Sequence, residues 1–204
     1  MSEDSLIIKK SYLDLPLFKQ AFVHKSVSLK ENNERLEFLG DAVLEIIISE
    51  YLYNQFSGMN EGRLTQIRAS LVNTQSLAEI FLQFDCKDML QTSKGTYNLD
   101  ESHKHSIYAG TLEACIGAIF IVLGFDESKI FVQHLFQEKF SLINEHTEFK
   151  DAKSRLQEAL QEKGYELPKY LVESNKEGNC FDCKVEFNGE IFHASASLKK
   201  ESEQ

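Results

Sequence analysis

Asn33-Glu34-Arg35-Leu36-Glu37-Phe38-Leu39-Gly40-Asp41 is the stretch on which the reading of this chain turns. Together with the residues that follow, Leu36, Leu39, Val43, Leu44 and Ile47 recur at helix spacing, with polar residues between them. The pattern predicts a helix with Asn33 as its N-cap, fading near Gln55 before the Ser57-Gly58 turn. Its acids are placed in an unusual way. Glu34, Glu37, Asp41 and Glu45 stand at i, i+3, i+7 and i+11, which is one stripe along a helix. Like charges at that spacing repel one another, and Arg35 lies off the line. Such a stripe is either a solvated acidic face or a ligand set for a hard cation such as Mg²⁺, which takes carboxylate oxygens and keeps several waters. Gly40 lies inside the same helix, where glycine costs about 1 kcal/mol relative to alanine. A glycine in that place points to the close approach of another backbone or a ligand.

A second acid stands out further along. Glu113 is the sole carboxylate in 102–125, an apolar segment rich in small residues. Ala109, Gly110, Ala114, Gly117 and Ala118 would let that helix pack closely on another. A lone buried acid is expensive unless it is paired or metal-bound. Either it forms a salt bridge to an arginine, or two helices pack face to face and Glu37, Asp41 and Glu113 converge on one cation.

The rest of the chain divides in character. Residues 1–146 read as all-α. Helices are expected over 61–84, 106–123 (stopped by Gly124) and 127–142, with a polar loop over 87–105 that includes a solvated His103-Lys104-His105. A link over 147–150 leads to 151–204, a small α+β unit. There 151–163 is a short amphipathic helix, Pro168 ends helical character, and 170–172, 181–187 and 191–196 are strands. Asn188-Gly189 is a strong hairpin signal between the last two.

Composition limits the function. The chain has 204 residues, 42% of them hydrophobic, and a net charge of −10. Phosphate binding normally rests on Lys and Arg, so nucleic acid cannot be held by the charge of the whole surface; a local basic patch or acid-bound metal is needed. The longest apolar run, 116–125, is too short to cross a bilayer, and no secretory signal is visible near the N-terminus. Four cysteines make no disulfide scaffold, and Cys180-Phe181-Asp182-Cys183 has no second pair at zinc-ribbon spacing. These features lead us to expect free thiols, a cytoplasmic location and no membrane partner.

The signature Asn33–Asp41 resembles that of the ribonuclease III family, and the likeness extends along the chain. His24-Lys25-Ser26 is similar to an early family motif, and Asn60-Glu61-Gly62 with Arg68-Ala69-Ser70-Leu71-Val72 to the next helix. Residues 106–117 resemble the late metal-binding helix. Asp151-Ala152-Lys153-Ser154-Arg155-Leu156-Gln157-Glu158 resembles the opening of a double-stranded RNA-binding domain.

The resemblance implies a bacterial-type layout: an all-α endonuclease domain, then an α-β-β-β-α RNA-binding domain. It implies a homodimer that cuts double-stranded RNA, not DNA, with Mg²⁺ (Mn²⁺ substituting). The products would carry 5′-phosphate and 3′-hydroxyl ends, and the substrates would be ribosomal precursors and structured messengers. Glu37, Asp41 and Glu113 correspond to metal ligands, Asp41 and Glu113 to catalytic residues, and Glu34 and Glu61 to further cleft acids. Gln157 and Glu158 match positions facing the minor groove, and Lys199 and Lys200 match phosphate-gripping positions.

Two departures stand beside the likeness. Gly110 occupies the position of a family metal-ligand Asp; Mg²⁺ tolerates a water in that place, but metal affinity and rate are expected to fall. The chain reaches Gln204 just as the last helix of the RNA-binding domain should begin; poor cover of the strands and weak RNA binding are the expectations. They support an alternative, a catalytically impaired dimer that binds structured RNA or a ribosomal particle.

Overall fold

The computed structural model describes residues 8–143, 152–174, 180–187 and 189–196. The chain separates into two compact units, Met1–Thr147 and Glu148–Gln204; the expected link at 147–150 lies outside the described residues.

The first unit is helical: α1 Lys10–Leu13, α2 Pro16–Ala21, α3 Glu34–Gln55, α4 Glu61–Leu71, α5 Thr74–Leu82, α6 Glu101–Leu135 and α7 Gln137–Ser141. Its centre is the α3–α6 pair. Val43, Leu44, Ile47, Ile48 and Leu52 of α3 are buried, as are Leu112, Cys115, Ile116 and Ile119 of α6. Each such aliphatic side chain contributes roughly 1.5–3 kcal/mol on burial. Phe18, Phe22, Phe81, Phe84 and Phe136 complete the core.

Three boundaries differ from expectation, each for a local reason. Asn33 precedes α3 but makes no capping hydrogen bond with its side chain. Asn32 does this work instead, its Oδ1 accepting from the Glu34 N–H at 3.0 Å. The single helix expected over 61–84 is broken at Asn73, whose side chain caps α5 by accepting from the Ser76 N–H and donates to the Ser70 carbonyl. Asp100 caps α6 through the His103 N–H, so the helix starts within the stretch expected as loop; two 3₁₀ turns, Lys87–Met89 and Lys94–Asn98, occupy the remainder. Gly124, at φ 85° and ψ −176°, is non-helical and divides 101–135 into two helical stretches, as the expected stop after residue 123 and restart at 127 require. The run on either side is longer and more apolar than 116–125 alone suggests. By length and composition α6 is apolar enough to cross a membrane, yet 61% of its most apolar window is buried inside the protein, as befits a core helix.

The second unit contains α8 Ala152–Glu162 and the strands β1 Lys169–Ser174, β2 Phe181–Phe187 and β3 Glu190–Ala196. The sheet is antiparallel in the order β1-β2-β3. Cys183 lies opposite Val172 on one side and Ala194 on the other, and it is buried, as is Leu160 of α8. The β2–β3 register pairs Phe187 with Glu190, and Gly189 between them has φ 80°, a conformation glycine adopts without strain. The observed order is all-α followed by α-β-β-β, as in a double-stranded RNA-binding domain. The expected last helix, with Lys199 and Lys200, lies outside the described residues.

Candidate active site

The site follows from how closely two helices meet. A Cβ on Gly40 would stand 1.8 Å from the Glu113 carbonyl oxygen, and one on Gly117 would stand 2.3 Å from the Leu36 carbonyl oxygen. The α3 and α6 backbones therefore touch, which no residue with a side chain at 40 or 117 would permit. That contact brings the acids of α3 beside the one acid of the α6 apolar segment.

Glu34, Glu37, Asp41 and Glu113 line one cavity of about 780 Å³. Its far wall is the segment before α3, fastened by hydrogen bonds. The Gln91 N–H donates to Phe22, the His24 N–H to Gln91 and the Asn33 N–H to Val23, all to carbonyl oxygens. Ser26 Oγ accepts from the Ser93 N–H at 3.0 Å and pairs with His24 Nδ1 at 2.8 Å. The His-Lys-Ser motif is thus a brace. It holds Lys25 over the cavity, with Nζ 3.0 Å from Glu34 Oε1.

The electrostatics are those of an acid cluster short of cations. Burial first, then Asp41 and Glu37, push the Glu113 carboxyl up to about 8. Burial also raises Glu37 above the usual carboxylate range; Lys25 pulls it back, while Glu34 and Asp41 add to the rise. Burial lowers His24, as does Lys25 beside it. None of the ion pairs among the described residues involves Glu113, so the salt bridge to an arginine is not formed. Asn33, 2% exposed, also lines the cavity, and its Oδ1 has no hydrogen-bond partner. A buried polar atom without a partner costs about 1–3 kcal/mol.

These observations fit a hard divalent cation. Among the described residues no three His, Cys, Asp or Glu side chains are gathered tightly enough to cage a metal as they stand. Mg²⁺ does not require a cage, since one or two carboxylates with water suffice. Glu37, Asp41 and Glu113 are the side chains that would hold it.

Not every expected residue is here. Glu45 does not line the cavity, and Glu61, at the start of α4, lines a second one of about 710 Å³ with Leu52, Tyr53, Phe56, Met59 and Leu64. Gln157 and Glu158 lie on α8 in the other unit. Other lining residues carried no expectation. His103 was assigned to a solvated loop, yet it sits in the first turn of α6 and lines the cavity; its nearness to the Asp100 cap was the missed signal. His24 and Asn33 line it as well. The space beside Gly110 is bordered by Glu37. A Cβ there would meet Glu37, at 2.8 Å from Cδ and Oε2 and 3.0 Å from Oε1.

This fold and this acidic cleft are those of a ribonuclease. Residues 14–139 match the family model described as Ribonuclease-III-like. A protein named Ribonuclease 3 from Pasteurella multocida is 40% identical over 193 residues, covering 92% of this chain and 85% of that one. One of the same name from Campylobacter fetus is 38% identical, covering 92% and 86%. Among solved structures, the nuclease domain of ribonuclease III from Campylobacter jejuni, described for flexibility in a region involved in dimer formation, aligns with a TM-score of 0.60 at 39% identity. It covers 65% of this chain and 96% of that one. Dicer from Pichia stipitis aligns with a TM-score of 0.51 at 26% identity, over 94% and 90%. The chain belongs to the ribonuclease III family. Its enzyme class is endoribonuclease.

Proposed function

We propose that the protein hydrolyses phosphodiester bonds of double-stranded RNA with the help of Mg²⁺, as a homodimer in the cytoplasm, and processes ribosomal precursors and structured messengers. The carrying observation is the convergence of Glu37, Asp41 and Glu113 on one cavity beside the orphaned Asn33 Oδ1. When bound, the cation stabilises charge on the phosphate and makes water a better nucleophile. Glu37 and Glu113, with Asp41, would hold the ion. Asp41 orients the attacking water and accepts its proton. The new bond joins water oxygen to phosphorus, the bond to the 3′ oxygen breaks, and a proton returns to that oxygen. The products are 5′-phosphate and 3′-hydroxyl ends. Lys25 brings positive charge to a cleft that must admit a polyanion. In the second unit, Gln157 and Glu158 meet the minor groove, and Lys199 and Lys200 meet phosphates.

The surface of α3 supports self-association. Phe38, Tyr53 and Ile46 are 82%, 74% and 57% exposed on one side of it, and the second cavity beside Glu61 is largely apolar. Sedimentation over a range of concentrations checks this; a monomer throughout overturns it. The central test is cleavage of a long RNA duplex with Mg²⁺ or Mn²⁺. Cutting by the natural protein that Glu113→Gln abolishes supports the enzyme. A second reading, an RNA-binding dimer without activity, is favoured by Gly110. It takes the lead if Gly110→Asp cuts and the natural protein does not.

A further inference from the structure

Three glycines lie along the α3–α6 contact, and they differ in what surrounds them. At Gly40 and Gly117 the nearest atoms are backbone atoms of the opposite helix. At Gly110 the three nearest are Cδ, Oε1 and Oε2 of Glu37, all within 3.0 Å of where a Cβ would stand. The Glu37 carboxylate therefore takes up space that a side chain at 110 would occupy. Glycine at a mid-helix position costs helix stability, and no positive φ requires one at 110.

We propose that Gly110 is the positioning residue for Glu37: its missing side chain gives the Glu37 carboxylate its place on the α6 wall of the cavity, beside Glu113. This rests on the reading that these carboxylates hold a divalent ion. A methyl group at 110, which brings no carboxylate of its own, swings the Glu37 carboxylate away and leaves both helices in place, because only the flexible end of one side chain has to move. The acid set is then organised by what position 110 lacks, and Glu37 reaches across from α3 to fill the gap.

The test is Mn²⁺ binding to the full chain, followed by electron paramagnetic resonance, with melting temperature recorded without metal. Gly110→Ala is expected to bind Mn²⁺ at least about tenfold more weakly, the usual scale when a group that orients a ligand is lost. It should melt at or above the natural protein's temperature, since alanine favours the helix. Adding Glu37→Asp should recover part of the loss, because a carboxylate one methylene shorter clears the new methyl group. Equal Mn²⁺ affinity in Gly110→Ala overturns the inference. So does a lower melting temperature, which would show that backbone gives way, and so does a double variant as weak as the two single losses combined. If the natural protein binds Mn²⁺ no better than Glu113→Gln, the metal reading itself falls and takes the inference with it.

Discussion

The two ends of the α3–α6 contact use glycine for opposite purposes. Around Gly40 and Gly117 glycine lets backbone meet backbone, and nothing nearby can yield. Around Gly110 it lets a carboxylate meet backbone, and the neighbour is the free end of a side chain. One end sets the distance between the helices, and the other sets where an acid sits once that distance is set. The same residue type in the same pair of helices thus has a folding role at one end and a chemical role at the other.

The largest expected effect is at the rigid end. In Gly40→Ala the new Cβ stands 1.8 Å from the Glu113 carbonyl oxygen and 2.9 Å from the Gly117 nitrogen. The helices must part along their buried seam. The expected loss is about 3 kcal/mol or more, at or beyond the upper end for overpacked cores, read as a lower urea midpoint. An unchanged midpoint would mean the backbones do not touch as described, and the distinction between the two ends would collapse.

Next in size is the response of the acid end to pH. Glu113 titrates near 8 in the folded protein, against an ordinary value of 4.5. A raised acid favours the folded state fully below its unfolded value, and that stability is lost as pH rises through the folded value. Without metal, stability should therefore decline between about pH 4.5 and 8, by an amount on the order of 5 kcal/mol for this group. Glu113→Gln should remove that decline, so the variant gains on the natural protein as pH rises. Divalent ions should flatten the natural curve by stabilising the ionised form. Parallel curves for the two proteins would show that Glu113 is not the group under strain.

How much of this was legible beforehand differs by region. The acid stripe and the closeness implied by Gly40 could be read because both follow from the single period of one helix. Glu113 stood out as the only carboxylate in an apolar segment. That Glu61 lines a different cavity from Glu37 could not be read, because it depends on where α4 docks. The break at Asn73 was masked by continuous helix-compatible composition, and only the direction of one side-chain hydrogen bond reveals it. Asn33 and Asn32 are adjacent residues of one type, and spacing cannot say which of them caps. The Glu37–Gly110 contact joins residues far apart in the chain, and a missing side chain leaves no pattern to follow. In the second unit the hairpin was visible from Asn188-Gly189, since its two-residue turn is a matter of local backbone conformation.

The smallest effect separates the two acids from each other. Lys25 is exposed and paired with Glu34, and among the described residues it is the cation that acts on Glu37, which it pulls back toward the ordinary range. It has no part in the shift of Glu113, which comes from burial, Asp41 and Glu37. Lys25→Met should therefore move the Glu37 titration further up and leave Glu113 where it is. By the same sign argument as before, the variant should lose slightly more stability than the natural protein as pH rises through the Glu37 titration, and match it below. The difference should fade in 1 M salt, where charges more than about 3 Å apart are screened. Carboxyl carbon shifts in metal-free protein follow both residues at once. If Glu113 moves as far as Glu37, the acids titrate as one coupled unit, and Glu37 has no separate place against Gly110. If neither moves, Lys25 does not stand over the cavity, and the brace from His24 to Ser93 has no electrostatic consequence.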